Sequence, residues 1–427
     1  MTAVLDDQVR LMESAWFMSY PHDVYARLRR EAPVYWSPRD EVWAISKYED
    51  IRWISKQPEL FSNRYHIYVA GAKVDDNGAT IPDDTGMPRA AELRRVAGMG
   101  PLYVDNLVMA DGARHRFLRK IASHAFTPKA INEIESEVQR IAVDLFDRIP
   151  EDVELDFVDT VAAPLPMIMI AMMLGVPLKH LDDFRRWSDS FIEMSEDTLP
   201  QYRDEDDVTA KIGDIIEFRD YFAEQLKDRV TNPRDDLLTK LTQAEWEGQP
   251  LGLEEQLSMA QVLLIAGNET TRGLLAGAGK ALAEHPDQRT ILAASPELMP
   301  GAVEEFLRYV TPVTHMCRTA LHDVEIRDQQ IKRGDFLCLL YASANRDEDA
   351  WERADDLDVR RDPDPPQLAF GFAEHFCLGA SLARREARIV LSELLQRFPN
   401  YEMTGTTQRV RQHMTPGINK MPVVFRR

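Results

Sequence analysis

The sequence predicts a mainly α-helical protein with small β-sheets, a single large domain over residues 1–427 crossed by one long central helix. Three observations predict it. Helical periodicity dominates the chain, and neither an internal repeat nor a low-complexity linker divides it. From about Leu253 to His285 the pattern stays helical until Pro286 stops it; some ~33 residues at ~1.5 Å each span about 50 Å, enough to cross a domain. Strand signals, by contrast, are short and confined to two places. Composition bounds the rest. The 44% apolar content supplies a core, and 71 acidic against 51 basic residues, a net charge of −20, speak against nucleic acid or an anionic membrane surface as a partner. Three cysteines, Cys317, Cys338 and Cys377, make no disulfide framework and suit a reducing compartment. The polar, acidic stretch Met1–Arg10 has neither the apolar run of a signal peptide nor a bilayer-spanning length. A soluble, cytoplasmic protein without a membrane anchor is expected.

Taken in order, Pro21–Arg30 reads as a short amphipathic helix, and Val34-Tyr35-Trp36 and Glu41–Ile45 flank Ser37-Pro38-Arg39-Asp40 as a hairpin. Between Phe61 and Asp111 the period is lost among Gly71, Gly78, Gly86, Gly98, Gly100, Pro82, Pro88 and Pro101, which marks a long functional or disordered loop. Asp111 then caps a helix to Lys120, where His115 and Arg119 lie four apart on one face; alone they read as a solvated basic face. Met167, Met169, Met172 and Met173 read as core packing rather than a soft-metal surface, and Asp204–Asp207 as an exposed acidic loop. Inside the central helix, Ala266-Gly267-Asn268-Glu269-Thr270-Thr271 places a glycine and hydrogen-bonding side chains where they are locally unfavourable. Either the glycine is simply tolerated, or the helix widens there and presents an acid and an alcohol to a small ligand. Glu305 and Arg308 sit three apart in an apolar helix. Strands follow at Val324–Ile326 and Phe336–Leu340, joined by a turn at Arg333-Gly334.

One stretch carries chemistry. From Phe370 to Glu386 a glycine- and aromatic-rich loop delivers Cys377 to the start of a helix whose Leu378, Leu382, Leu391, Leu394 and Leu395 share an apolar face. Unpaired N–H groups and the positive end of the helix dipole there favour a thiolate, which is a metal ligand or a nucleophile. A lone cysteine is more often a small buried hydrophobe. The spacing argues otherwise, because Gly379 lets something flat pass over the backbone, Phe370 can cover the sulfur and His375 offers a donor beside it.

Phe370, Gly371, His375, Cys377, Gly379, Ala383 and Glu386 together resemble the haem-binding loop of the cytochrome P-450 superfamily, the haem-thiolate monooxygenases. The resemblance runs from about Pro21 to the C-terminus. It departs at Ala373, where the family has its second glycine; if that position needs a positive φ, alanine costs about 1 kcal/mol. The resemblance implies the P-450 fold of the soluble bacterial type, haem b as cofactor and Cys377 as the axial ligand of its iron. It implies a lid over the pocket between residues 61 and 111, propionate contacts from His115, Arg119 and Arg318, and a cofactor face at Ala266 and Gly267. Thr270 would hydrogen-bond bound dioxygen and Glu269 would relay protons to it. An axial thiolate favours O–O cleavage, which suits hydroxylation of a small apolar substrate lined by Val262, Ile265, Ala266, Val313 and Thr314. Glu305, Arg308 and Arg361 would form a buried structural ion cluster fixing the cysteine loop.

The chain carries no flavin or iron–sulfur motif, so a ferredoxin and a ferredoxin reductase are expected to supply two electrons for O2 activation, to a monomeric enzyme. Arg114, Arg116, Lys120, Arg384, Arg385 and Arg388 would form the docking face. Three rivals remain. A peroxide-driven peroxygenase would lack the acid and alcohol, a haem carrier or sensor would not need them, and a cysteine hydrolase would be colourless.

Overall fold

The structure, a computed structural model, describes residues 5–64, 73–74, 80–81, 106–194 and 205–426. The lid expected between Phe61 and Asp111 therefore falls mostly outside the described residues. Helices carry the architecture: α1 (Gly112–Ser123), α2 (Pro128–Phe146), α3 (Pro164–Leu174), α4 (Leu181–Met194), α5 (Glu205–Thr231), α6 (Leu253–Glu284), α7 (Met299–Val310) and α8 (Ala380–Arg397) frame the site. Local chemistry sets their ends. Thr127 accepts a hydrogen bond from Ala130 N at 3.2 Å with Pro128 at the first turn of α2, and Pro286 follows α6. Asp111 stands at the N-cap of α1, but its carboxylate reaches Ser62 and Asn63 instead of the helix. Residues 205–207, expected in an acidic loop, instead open α5.

α6 is the spine. It runs through 32 residues and packs on α3, α7 and α8. Three glycines set how closely its neighbours approach. A Cβ at Gly267 would lie 2.9 Å from Ile170 Cδ1 of α3, at Gly277 2.4 Å from Val310 Cγ1 of α7, and at Gly279 2.6 Å from Phe157 Cζ. α3 is apolar on all sides, which befits a buried helix, and Met167 and Met169 are buried in it. The methionines pack the core.

The main sheet holds β1 (Val34–Ser37), β2 (Val42–Ile45), β3 (Phe61–Ser62), β4 (Met316–Ala320) and β5 (Phe336–Leu339) in the order β1-β2-β5-β4-β3. The β1–β2 hairpin is the one the sequence predicts, with Val34 opposite Ile45. The second expected pairing is corrected. Val324–Ile326 pairs with Gln329–Ile331 as a separate hairpin, while β5 lies parallel to β2 and antiparallel to β4, with Cys338 opposite Cys317. The parallel partner is nearly three hundred residues away, beyond the reach of any local turn signal. The N-terminal arm closes the sheet: Leu5, Val9, Leu11, Trp16 and Phe17 are buried in one cluster with Ala44, Cys317 and Cys338.

Candidate active site

The cysteine loop ends in Gly379, the N-cap of α8, so Cys377 stands just before the helix N-terminus, two residues ahead of the cap. The loop is closed by Cys377 N donating to Phe370 O at 2.8 Å and Gly371 N donating to Leu368 O at 2.9 Å. Gly371 has φ +69° and Ala373 φ +59°, so the position that departs from the family pattern does adopt the left-handed conformation. Phe370 stands edge-on to Phe376, with ring centroids 6.1 Å apart.

Cys377 is exposed, yet burial pushes its thiol above the usual range against the pull of the Gly379 N–H and of Arg119 and Arg384. The two observations agree if the sulfur faces an enclosed space rather than open water. The expectation that the helix end alone would favour a thiolate is thereby corrected, because desolvation outweighs it. A high-pKa thiol is a poor hydrolytic nucleophile, whereas a coordinating metal deprotonates it outright.

Beside the loop, α1 contributes His115, which is 1% exposed. Its Nδ1 lies 3.2 Å from Glu374 Oε1, its ring centroid 4.2 Å from that of His375, and its buried Nε2 makes no hydrogen bond. His375 in turn faces Asp111, at 3.8 Å. Burial lowers the pKa of both rings, and the charge of Arg318 on β4 lowers that of His375 further, which places Arg318 in the same cluster. Arg318 is buried and donates to Cys317 O at 2.8 Å. Arg119 instead donates to Phe376 O at 2.7 Å, across the cysteine loop. These residues fit a haem: an accessible sulfur on one loop, with an unpartnered buried imidazole nitrogen and a buried guanidinium beside it, suits a metal and the acidic groups of its porphyrin.

On α6, Ala266 is exposed and Val262, Ile265, Gly267 and Thr270 are half-buried although the helix crosses the protein interior. Val262, Ala266 and Thr270 recur every four residues, so the accessible strip is one helix face. The helix does not break there. Thr270 Oγ1 donates to Ala266 O at 2.8 Å, and Gly267 abuts Ile170, so the glycine serves helix packing. Glu269 is buried and pairs with Arg272, which lies 3.7 Å from Asp189 of α4. Asn268 Nδ2 donates to Glu269 Oε1 at 3.1 Å. Burial lifts the Glu269 carboxyl to about 7 against the pull of Arg272, so it can change protonation near neutrality.

Val313 is half-buried and packs beside the main sheet. Thr314 is buried and its hydroxyl contacts His413 O at 3.1 Å and Met414 O at 3.2 Å, facing the C-terminal loop rather than an open pocket. Glu305, Arg308 and Arg361 meet in one cluster. Arg308 grips both Glu305 oxygens at 2.7 Å and donates to Asn345 O and Asp356 O, while Arg361 Nε reaches Glu305 Oε2 at 3.0 Å. Arg360 makes no such contact among the described residues; only its backbone N–H bonds, to Asp358. Ala383 is half-buried on α8.

The expected docking face shrinks. Arg114 pairs with Glu255, Arg384 with Glu304, Arg385 with Glu135 and, at 3.8 Å, Arg116 with Glu374, leaving Lys120 and Arg388 without an ion pair among the described residues. Sequence reasoning missed Glu374, Arg272 and Asp189, because charge partners set by tertiary approach leave no spacing signal.

The cytochrome P450 family model matches residues 294–423. The chain is 34% identical to linalool 8-monooxygenase of Pseudomonas putida over 95% of each chain. It is 34% identical to the methyl-branched lipid omega-hydroxylase of Mycobacterium tuberculosis over 99% of this chain and 92% of that one. A cytochrome P450 solved in complex with (4-ethylphenyl) dihydrogen phosphate superposes with a TM-score of 0.85 at 27% identity, covering 98% of this chain and 99% of the other.

Proposed function

The chain belongs to the cytochrome P450 family, and from that premise we propose that it is a monooxygenase in which Cys377 ligates the iron of haem b and O2 is used to hydroxylate a small apolar molecule. The family is one of haem-thiolate oxidoreductases fed by external redox partners, so the ligand, the substrate and the donors are the finer claims. The observation that carries them is the loop itself: Cys377, left exposed at its end, beside the buried His115 and Arg318. The haem supplies the oxygen activation.

This chain's residues do the rest. His115 Nε2 and Arg318 would hold the propionates, while Gly379, where a Cβ would lie 4.0 Å from Cys377 Sγ, would keep the loop clear of a side chain near the sulfur. Val262, Ile265, Ala266 and Val313 would seat the apolar substrate and exclude water. Glu269, with a carboxyl lifted to about 7 and held by Arg272, would move a proton inward from solvent on the Asp189 side, and Thr270 would pass it on once its hydroxyl leaves Ala266 O. The relatives named for linalool and for a methyl-branched lipid favour a branched aliphatic substrate. A ferredoxin with its reductase would supply the electrons to a monomeric, cytoplasmic enzyme; no described helix is long and apolar enough to cross a membrane.

Thr270→Ala tests the proton role. Electron consumption should persist while product per electron falls roughly tenfold or more, within the range for lost general acid–base help. Unchanged coupling would assign the chain to a carrier or a peroxide-driven peroxygenase. Screening apolar compounds for a spin-state change in the haem spectrum identifies the substrate class.

A further inference from the structure

We propose that Arg384, clamped by Glu304 against Phe370, is a positioning residue that sets the reduction potential of the haem held at Cys377; the inference rests on the haem-thiolate reading above. α8 carries Arg384 in its second turn, just beyond the cysteine loop. Its guanidinium carbon lies 4.6 Å from the centroid of the Phe370 ring, over which a delocalised cation is attracted. The same guanidinium grips Glu304 of α7 with two nitrogens, Nη2 donating to Oε2 at 3.0 Å and Nε to Oε1. Glu304 is held from a second side by Gln367 Nε2 at 3.1 Å, and Gln367 Oε1 accepts from Ala369 N at 2.7 Å. The carbonyl of Phe370 then receives the N–H of Cys377 at 2.8 Å. A continuous set of contacts thus runs from a carboxylate on α7, through a cation and an aromatic ring, to the backbone of the cysteine.

The arrangement differs from the neighbouring ion cluster, where Glu305 is held by two guanidinium groups, those of Arg308 and Arg361, and by the N–H of Asp358. Here two opposite charges stand in a line beside the cysteine loop, the positive one against the ring. One-electron reduction by the external donor adds negative charge at the metal and thiolate. A cation close by favours the reduced form, and a carboxylate favours the oxidised form. The pair therefore acts as an oriented charge, held at a fixed distance by the bidentate grip.

Spectroelectrochemical titration of the purified holoenzyme tests this, with Arg384→Gln, Glu304→Gln, the double variant and Arg385→Gln compared with wild type. The potential should fall in Arg384→Gln, which leaves the carboxylate alone. It should rise in Glu304→Gln, which leaves the cation alone, and return close to wild type in the double variant. Arg385→Gln, whose side chain faces Glu135, should leave it unmoved. A structural role alone would shift both single variants in the same direction, and that result, or no shift in either, overturns the proposal. If Arg384→Gln fails to retain haem, the sign in Glu304→Gln decides: upward supports the oriented charge, downward or unchanged refutes it. Wild-type protein without a thiolate-type spectrum would instead refute the underlying reading.

Discussion

Ala373 has φ +59° in a loop whose family pattern has glycine there, and this strain is local and measurable. A non-glycine residue in the left-handed region costs about 1–2 kcal/mol, part of which glycine gives back through its freer unfolded chain. Ala373→Gly should therefore stabilise the protein by about 0.5–1 kcal/mol in denaturant titration; a loss of stability would show that the alanine methyl is packed usefully. Glu386 on α8 gives a pH prediction. It is 1% exposed, and burial lifts its carboxyl from 4.5 to about 8. The folded state keeps the proton while the unfolded chain releases it above ~4.5, so Glu386 lowers stability as pH rises between those values and not beyond. Glu386→Gln should flatten the stability–pH curve between pH 5 and 8 by on the order of 1 kcal/mol per unit, read from melting at each pH. Cys377 was legible in the sequence because its loop is contiguous, and the spacing of Phe370, His375 and Gly379 survives without any fold. The protonation state of its thiol was not legible, because desolvation depends on what the fold packs around it.

At the scale of the element, α6 explains why glycine sits mid-helix. In an open helix, glycine to alanine gains about 1 kcal/mol. Here the new methyl at Gly279 would meet Phe157, and at Gly277 Val310, at distances no packed core holds. Each substitution should cost about 1–3 kcal/mol, and Val310→Ala should recover part of the loss in Gly277→Ala but none in Gly279→Ala. The ion cluster links α7 to the loop before the cysteine. Glu305→Gln leaves Arg308 and Arg361 buried without their carboxylate, a change worth about 3–5 kcal/mol. The variant should unfold at lower denaturant and lose haem first; retained haem and stability would show that the backbone carbonyls suffice. Helices and the first hairpin were readable from periodicity and turn residues. The sheet was not, because β5 pairs with β2 across nearly the whole chain, and an amphipathic strand does not name its partner.

For the whole molecule, the net charge of −20 would oppose approach of the proposed acidic ferredoxin except where a basic face is left open. Arg114, Arg384 and Arg385 are paired with the protein's own acids and the exposed Arg116 lies 3.8 Å from Glu374, so the proposed docking face would rest on Lys120, Arg388 and the exposed guanidinium of Arg116. Charge reversal at Arg116 or Arg388 should slow reduction by a ferredoxin and weaken its salt dependence, while reduction by a small uncharged donor stays as it was. The central claim remains that the Cys377 sulfur, as an anion, binds a porphyrin iron. The absorption spectrum of the reduced carbon monoxide adduct tests it most directly, in wild type and in Cys377→His. The account predicts the long-wavelength Soret band of thiolate ligation in the wild type and its loss in the variant. A folded wild type that takes up no haem, or whose adduct absorbs like a histidine-ligated globin, would contradict it.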